Sequence, residues 1–205
     1  MKSRFEHLTA DNIVAHLSDM FGHSGAQQYL GEPVTVAQHM LQGASLADQQ
    51  GQPKAVIAAA LLHDIGHFSG DFEAFSMADT HDRRHEVYGA ELLAPFFPQQ
   101  VTQCVRHHVS AKRYLCATRT EYFSQLSAAS VHSLQLQGGP MNPQEVREFE
   151  TNPHLQSIIQ VRLLDDAGKV ENLKTHSFSY FESLLQELVH EHCPSPSPSP
   201  NPSPN

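Results

Sequence analysis

The segment ALLHDIGHFSG, residues 60–70, ends an apolar run with three ionisable side chains, His63, Asp64 and His67. Because the residues before them are nearly all apolar, the pattern predicts a buried helix. Such a helix would deliver His63 and Asp64 to the protein interior. Imidazole and carboxylate groups are common metal ligands, so this segment is a candidate metal site.

The spacing of His63 and His67 first suggests a zinc site of the HExxH type, in which two histidines lie four residues apart. Here Asp64, and not glutamate, follows the first histidine, and we expect Gly66 to end the helix. A zinc site of this type is therefore disfavoured. The chain has three cysteines, which are too widely spaced to indicate a disulfide framework or a thiolate zinc site: Cys104, Cys116 and Cys193.

Other ligand-type side chains lie on the apolar faces of predicted helices. His39 and His85 each share a face with apolar residues at helical spacing, and His108 continues the apolar stripe that begins at Val101. The neighbouring His107 points about 100° away from that stripe. We therefore expect the first three of these histidines, but not the fourth, to face the core.

One more apolar stripe begins at Leu155, contains Arg162 and continues to Asp165 or Asp166. Any one of these polar residues alone would more often be a hydrogen-bonded core residue than a metal ligand. Together, several buried histidines and carboxylates without partners would carry a heavy desolvation cost, which a shared cation removes. A mixed imidazole and carboxylate set suits iron, manganese or zinc.

Helical periodicity dominates the chain and strand signals are scarce, which predicts one all-α helical bundle over residues 1–192. Residues 193–205, CPSPSPSPNPSPN, have a Pro/Ser composition typical of a disordered tail. Residues 67–83 form a long connection without a clear period. The predicted helices are about 10–22, 34–50, 53–64, 84–97, 98–108, 119–135, 143–150, 154–165 and 177–191.

Composition excludes some classes of function. The formal net charge of −9 argues against binding to a nucleic-acid backbone. No apolar run approaches the ~18 residues of a membrane span. The N-terminal residues MKSRFEHLTADNIVAHL lack the hydrophobic region of a signal peptide, so we expect a cytoplasmic protein.

His39, the His63–Asp64 pair and Asp165 resemble the H…HD…D signature of the HD-domain superfamily. Most members of that superfamily are metal-dependent phosphohydrolases built on a helical bundle. Two further histidines, His85 and His108, match the version that holds two metals. Longer segments resemble the PhnZ-type oxygenases, which cleave the C–P bond of 1-hydroxyphosphonates: YLGE (29–32), HVSAKRYL (108–115), LSAAS (126–130), QGGPM (137–141) and VRLLDDAGK (161–169).

The resemblance implies two iron ions, in a mixed-valent Fe(II)/Fe(III) pair bridged by Asp64, with O2 as co-substrate. It assigns one iron to His39, His63 and Asp165. It assigns the other iron to His85 and His108. The residues that match phosphonate contacts are His67, Lys112, Ser130 and Arg162.

The resemblance of the YLGE segment to the same oxygenases implies a gate. Tyr29 would occupy the open position on the iron that binds substrate, held there by Glu32, until the substrate displaces it. Glu32 would also favour a cationic group at the far end of the substrate. This gate has no obvious role in hydrolysis, so it separates an oxygenase from the main alternative, an HD-domain phosphohydrolase that acts on a phosphate monoester or nucleotide. A non-catalytic HD module that senses a ligand is disfavoured, because every expected ligand position is filled.

The resemblance implies a small organophosphonate substrate and an upstream 1-hydroxylase in the same pathway. One candidate substrate is (R)-1-hydroxy-2-(trimethylamino)ethylphosphonate, which would give glycine betaine and phosphate. The other is 2-amino-1-hydroxyethylphosphonate, which would give glycine and phosphate. Aromatic side chains favour a quaternary ammonium group, although they could instead only pack the loop: Phe68, Phe72 and Phe75, beside Asp71 and Glu73.

Overall fold

The computed structural model describes residues 6–23, 32–68 and 84–193, and in these ranges the chain is built from α-helices and two short 3₁₀ helices, with no β-strand. The all-α prediction is confirmed for the described residues. The 3₁₀ helices are Ile65–Phe68 and Phe123–Gln125. The α-helices are α1 Ile13–Gly22, α2 Val36–Gln49, α3 Lys54–Leu62, α4 His85–Leu93, α5 Gln99–Thr118, α6 Ala128–Leu136, α7 Pro143–Glu150, α8 Leu155–Ala167 and α9 Phe178–His192.

Helix α3 lies at the centre of the bundle. Every residue from Ala55 to Leu62 is buried, and the helix packs against α2, α5, α8 and α9. A helix that is apolar on all sides is stable in water only when other elements cover it all round. The apolar run that precedes His63 is therefore the core helix predicted from the sequence, and its C-terminal end lies inside the protein.

Helix α2 begins at a capping box that fixes where its first turn lies. The Thr35 side chain accepts a hydrogen bond from the backbone N–H of Gln38, and the Gln38 side chain accepts one from the backbone N–H of Thr35. Removing such a cap costs about 1 kcal/mol. Because His39 donates its backbone N–H to the Thr35 carbonyl, the cap also sets the position of a predicted ligand.

Helices α5 and α6 differ from the prediction. Helix α5 continues to Thr118, ten residues beyond the predicted end at residue 108, and α6 begins at Ala128 and not at residue 119. The residues that extend α5 include buried Lys112 and Leu115. Because a lysine normally indicates a solvent-facing position, Lys112 interrupts the apolar pattern on which the prediction depended. The start of α6 is set by Ser127, whose side chain accepts a hydrogen bond from the backbone N–H of Ser130.

Among the described residues, no helix is both long enough and apolar enough to cross a membrane. Residues 194–205, most of the predicted disordered tail, lie outside the described ranges. Most of the predicted connection over residues 67–83 also lies outside them.

Candidate metal centre and substrate pocket

The His63–Asp64 pair lies at the turn where α3 ends and the first 3₁₀ helix begins. The α4 backbone passes very close to this turn. A Cβ atom on Gly66 would lie only 2.1 Å from the carbonyl oxygen of His85, so no other residue fits at position 66 without displacing α4. The glycine therefore allows His85, at the first position of α4, to approach Asp64.

A first cluster of ligand-type side chains comes from α2, α8 and the end of α3. His39 Nε2 lies 3.0 Å from His63 Nε2 and 3.1 Å from Asp165 Oδ1. Asp64 Oδ2 lies 3.6 Å from His63 Nε2. Metal–ligand bonds near 2.1 Å place neighbouring ligand atoms roughly 3 Å apart, so these separations fit atoms that share one ion.

A second cluster faces the other carboxylate oxygen of Asp64. Asp64 Oδ1 lies 3.1 Å from His85 Nε2 and 3.3 Å from His108 Nε2, and these two nitrogens are 3.1 Å apart. The His67 ring stacks on that of His85, with centroids 4.0 Å apart, and its ring nitrogen is close enough to belong to this cluster. Asp64 is thus placed between two groups of imidazoles, one for each of its oxygens.

Hydrogen bonds to backbone carbonyls orient three of the imidazoles. His39 Nδ1 donates to the Gly168 carbonyl at 2.9 Å, His63 Nδ1 to the Ala60 carbonyl at 2.9 Å, and His108 Nδ1 to the Val105 carbonyl at 2.7 Å. A proton on Nδ1 leaves Nε2 with a free lone pair. This is the usual outer support of a metal-binding histidine, and it aims each Nε2 at the clusters around Asp64.

Burial and charge keep His63 and Asp64 in the ionisation states that metal binding needs. Burial lowers the pKa of His63 to about 4, so its imidazole is neutral at neutral pH. Burial also acts to raise the pKa of Asp64, but the histidines around it, His63, His108 and His85, hold that pKa well below its usual value. A neutral imidazole and an ionised carboxylate are the forms that bind a metal ion.

The described residues therefore contain two groups of His and Asp side chains able to hold a metal ion. Nitrogen and carboxylate donors suit iron, manganese or zinc, and no cysteine lies in either group. The residues predicted as ligands are the ones that meet here: His39, His63, Asp64, His85, His108 and Asp165. In contrast, His107 lies beside the Phe149 ring and does not line the pocket.

The two clusters open into a pocket that has apolar walls and several cationic groups. Lys112 is buried in one wall, and its Nζ donates to Ser133 Oγ at 2.6 Å. Burial and the nearby Arg162 lower the pKa of Lys112 to about 7. Ser130 and His67 also line the pocket, so all four residues predicted to contact a phosphonate share one cavity with the clusters.

Arg162 is buried and held by three groups. Its Nη1 donates to Asp165 Oδ2 at 2.7 Å, its Nη2 donates to Asp166, and its Nε donates to the hydroxyl of Tyr122 at 2.9 Å. The sequence left open whether Asp165 or Asp166 faces the metal site. The structure places Asp165 in the first cluster and Asp166 against the guanidinium.

Glu32 also lines the pocket, and its carboxylate has a cationic partner that the sequence analysis did not single out. Lys169 Nζ donates to Glu32 Oε1 at 2.8 Å and to Ser130 Oγ at 3.0 Å, and Ser127 Oγ donates to the same glutamate oxygen. Lys169 ends the segment VRLLDDAGK, so that motif contained the available signal. Tyr29, the predicted gate, lies outside the described residues, as do Phe72, Phe75, Asp71 and Glu73.

Phe68, the first of the predicted aromatic box, is buried against Phe21, with ring centroids 5.3 Å apart. It does not line the pocket. In the described part of the chain, the alternative reading of this side chain, as loop packing, is the one that the structure favours.

The HD domain family model matches residues 36–173. The chain is 56% identical over 185 residues to a [1-hydroxy-2-(trimethylamino)ethyl]phosphonate dioxygenase (glycine-betaine-forming) of Leisingera caerulea, a match that covers 90% of this chain and 94% of that protein.

Two further relatives are more distant. A hydroxymethylphosphonate dioxygenase of Gimesia maris is 45% identical over 151 residues, which cover 72% of this chain and 74% of that protein. An uncharacterized protein of Acanthamoeba polyphaga mimivirus is 32% identical over 182 residues, which cover 88% of this chain and 82% of that protein. With the family model spanning most of the helical bundle and the predicted ligands meeting inside it, the chain belongs to the HD domain family.

Proposed function

We propose that this protein is a dioxygenase that cleaves the C–P bond of (R)-1-hydroxy-2-(trimethylamino)ethylphosphonate and forms glycine betaine and phosphate. The observation that carries the proposal is the position of Asp64, whose two oxygens face two separate histidine clusters at the wall of a cationic pocket. The choice of substrate is supported by the 56% identity to a dioxygenase that is named for this compound.

The two clusters would hold two iron ions, and Asp64 would offer one carboxylate oxygen to each cluster. Mixed-valent iron would supply the one-electron chemistry with O2 that oxidation of C1 of the substrate needs. In the balanced reaction, one hydroxyphosphonate and one O2 give one carboxylate and one phosphate. The chain's own contribution is to fix the ligand atoms: the backbone carbonyls that accept from Nδ1 of His39, His63 and His108 hold each Nε2 in place.

The phosphonate would bind at the cationic wall of the pocket. Arg162 offers a planar pair of N–H donors that suits two phosphonate oxygens, and Asp165 and Asp166 hold that guanidinium in one orientation. Lys112 and Ser130 add a cation and a hydroxyl donor. His67, next to the second cluster, would donate a further hydrogen bond near the C–P bond.

Glu32 would lie near the opposite, cationic end of the substrate. A quaternary ammonium group makes no hydrogen bonds, so the charge of Glu32 and the apolar side chains of Val34 and Val36 suit it without specific donors or acceptors. We also keep the prediction that Tyr29 acts as a gate at the iron that binds substrate. An upstream enzyme that hydroxylates C1 of the phosphonate would supply the substrate.

The alternative is a phosphohydrolase, which the HD fold alone would permit. Two relatives with dioxygenase names, each matching most of the chain, favour the oxygenase. The deciding test is an assay of iron-loaded protein with the trimethylated and the 2-amino substrates, in which O2 uptake, phosphate, glycine betaine and glycine are measured together.

We expect O2 uptake, phosphate and glycine betaine in a 1:1:1 ratio with the trimethylated substrate. The protein with O2 but without substrate is the control for uncoupled oxygen use. Release of phosphate from a nucleotide without O2 uptake would overturn the proposal in favour of the hydrolase.

A further inference from the structure

Lys169 lies between the two ends of the pocket that the proposed substrate would occupy. Its Nζ is 2.8 Å from Glu32 Oε1, where the cationic end of the substrate is expected, and 3.0 Å from Ser130 Oγ, which is expected to bind the phosphonate. The side chains of Lys169 and Glu32 are each about one-sixth exposed, at 16% and 15%. The ion pair is therefore partly shielded from water.

The other two cations of the pocket are less able to balance a phosphonate dianion. Arg162 is already paired with Asp165 and Asp166. Lys112 is buried in the pocket wall with Ser133 Oγ as a hydrogen-bond acceptor, and its pKa is lowered. A dianion that enters this pocket gains most from a lysine that can leave its present partner.

Glu32 is paired with Lys169, which limits its ability to act as a counter-ion for the cationic end of the substrate. While Lys169 is paired with Glu32, the lysine neutralises the charge of the carboxylate. The lysine would also repel an ammonium group placed nearby. A phosphonate oxygen that accepts a hydrogen bond from Ser130 Oγ would lie within roughly 3–5 Å of Lys169 Nζ, given a bond of about 2.7 Å to that hydroxyl. A small rotation of the lysine side chain would then exchange one partner for the other.

We propose that Lys169 is a further substrate-binding residue, which exchanges its ion pair with Glu32 for the phosphonate and so frees Glu32 to face the cationic end of the substrate. This inference rests on the proposed function. It predicts that the enzyme selects substrates that carry both charges, because only such substrates give both Lys169 and Glu32 a new partner.

The test compares two ligands in anaerobic calorimetry on the iron-loaded, full-length protein. One ligand is 1-hydroxy-2-(trimethylamino)ethylphosphonate, and the other is hydroxymethylphosphonate, which has no cationic end. We expect Lys169→Met to weaken binding of both ligands by about tenfold, and Lys169→Arg to recover part of that loss. Lys174→Met, at an exposed lysine in the same region, is the matched control and should change neither Kd.

Glu32→Gln should act in opposite directions on the two ligands. The trimethylated ligand should bind several-fold more weakly, because it loses its counter-ion, whereas hydroxymethylphosphonate should bind more tightly, because Lys169 no longer has a competing partner. If Lys169 only held Glu32 in place, Lys169→Met would affect the trimethylated ligand alone. An unchanged Kd for hydroxymethylphosphonate in Lys169→Met would therefore overturn the exchange.

The proposed function can fail separately from this inference. A wild-type protein that binds both phosphonates but consumes no O2 with either would contradict the dioxygenase, while the two variants would still report on the exchange. A wild-type protein that turns over the trimethylated substrate, together with Lys169→Met that binds hydroxymethylphosphonate as tightly as wild type, would contradict the exchange alone.

Discussion

Gly66 lies directly against the backbone of His85, with no space for a side chain between them. A Cβ at position 66 would be 2.1 Å from the His85 carbonyl oxygen and 2.8 Å from its carbonyl carbon. Since backbone atoms cannot yield as a flexible side chain can, an alanine here must push α4 away from the turn at Asp64. The approach of His85 to Asp64 therefore depends on this glycine.

Gly66→Ala should lose the second metal before it loses the fold. We expect the variant to bind about one iron per chain where the wild type binds two, and overpacking of this kind destabilises by about 1–3 kcal/mol. Iron analysis after anaerobic loading, together with a thermal melt, measures both effects. Gly22→Ala is the control, because a Cβ there meets nothing within 4 Å and should leave iron content unchanged.

Substitution of His85 and of His107 tests which histidines face the metal site. His85→Ala should remove a ligand of the second iron and abolish turnover, since Asp64 Oδ1 would lose the imidazole nitrogen that now lies 3.1 Å from it. His107→Ala should leave both irons bound and turnover close to wild type, because His107 lies against Phe149. The opposite pattern of iron content would contradict the assignment of these faces.

Helical periodicity predicted the meeting of the ligand-type residues well, because the helices that carry them are long and buried. His39, His108 and Asp165 each continue an apolar stripe, and a residue on such a stripe must face the core. The same reasoning ended α5 too early at residue 108. Lys112 is buried in the structure. Periodicity analysis takes a charged residue as exposed, so it cannot identify a buried lysine.

Contacts between distant segments are what the sequence could not supply. Lys169 follows the end of α8, in a stretch without periodicity, and its partner Glu32 is 137 residues away. Tyr122 likewise lies between α5 and α6, and only the packing of that turn shows that its hydroxyl holds Arg162. Residues of this kind are placed by tertiary packing and not by the local pattern of a helix.

His67 has two geometrically allowed roles, and its substitution distinguishes them. Its ring nitrogen lies close enough to Asp64 and His85 to be a ligand, while the family resemblance assigns it to the phosphonate. We expect His67→Ala to keep two irons per chain and to weaken phosphonate binding by about tenfold, the effect of losing one charge-assisted hydrogen bond. If His67→Ala instead lost one iron, and the molecules that kept both irons bound the phosphonate as tightly as wild type, His67 would be a metal ligand.

The affinity for substrate should fall as the pH rises through neutrality. Burial and Arg162 lower the pKa of Lys112 to about 7, so the lysine of the free protein is charged below that pH and neutral above it. A phosphonate dianion binds the charged form, so above pH 7 binding must be accompanied by proton uptake, and Kd should rise by up to tenfold per pH unit. Calorimetry in buffers of different ionisation enthalpy measures that uptake directly.

Lys112→Arg is the matched variant for this prediction, because a guanidinium stays charged throughout the range. We expect it to bind substrate with little proton uptake between pH 7 and 8.5, and with a Kd that is nearly constant once titration of the phosphonate itself has been subtracted. Since the phosphonate titrates identically with both proteins, the difference between them isolates Lys112. Equal proton uptake by the wild type and Lys112→Arg would show that another group, and not this lysine, couples binding to pH.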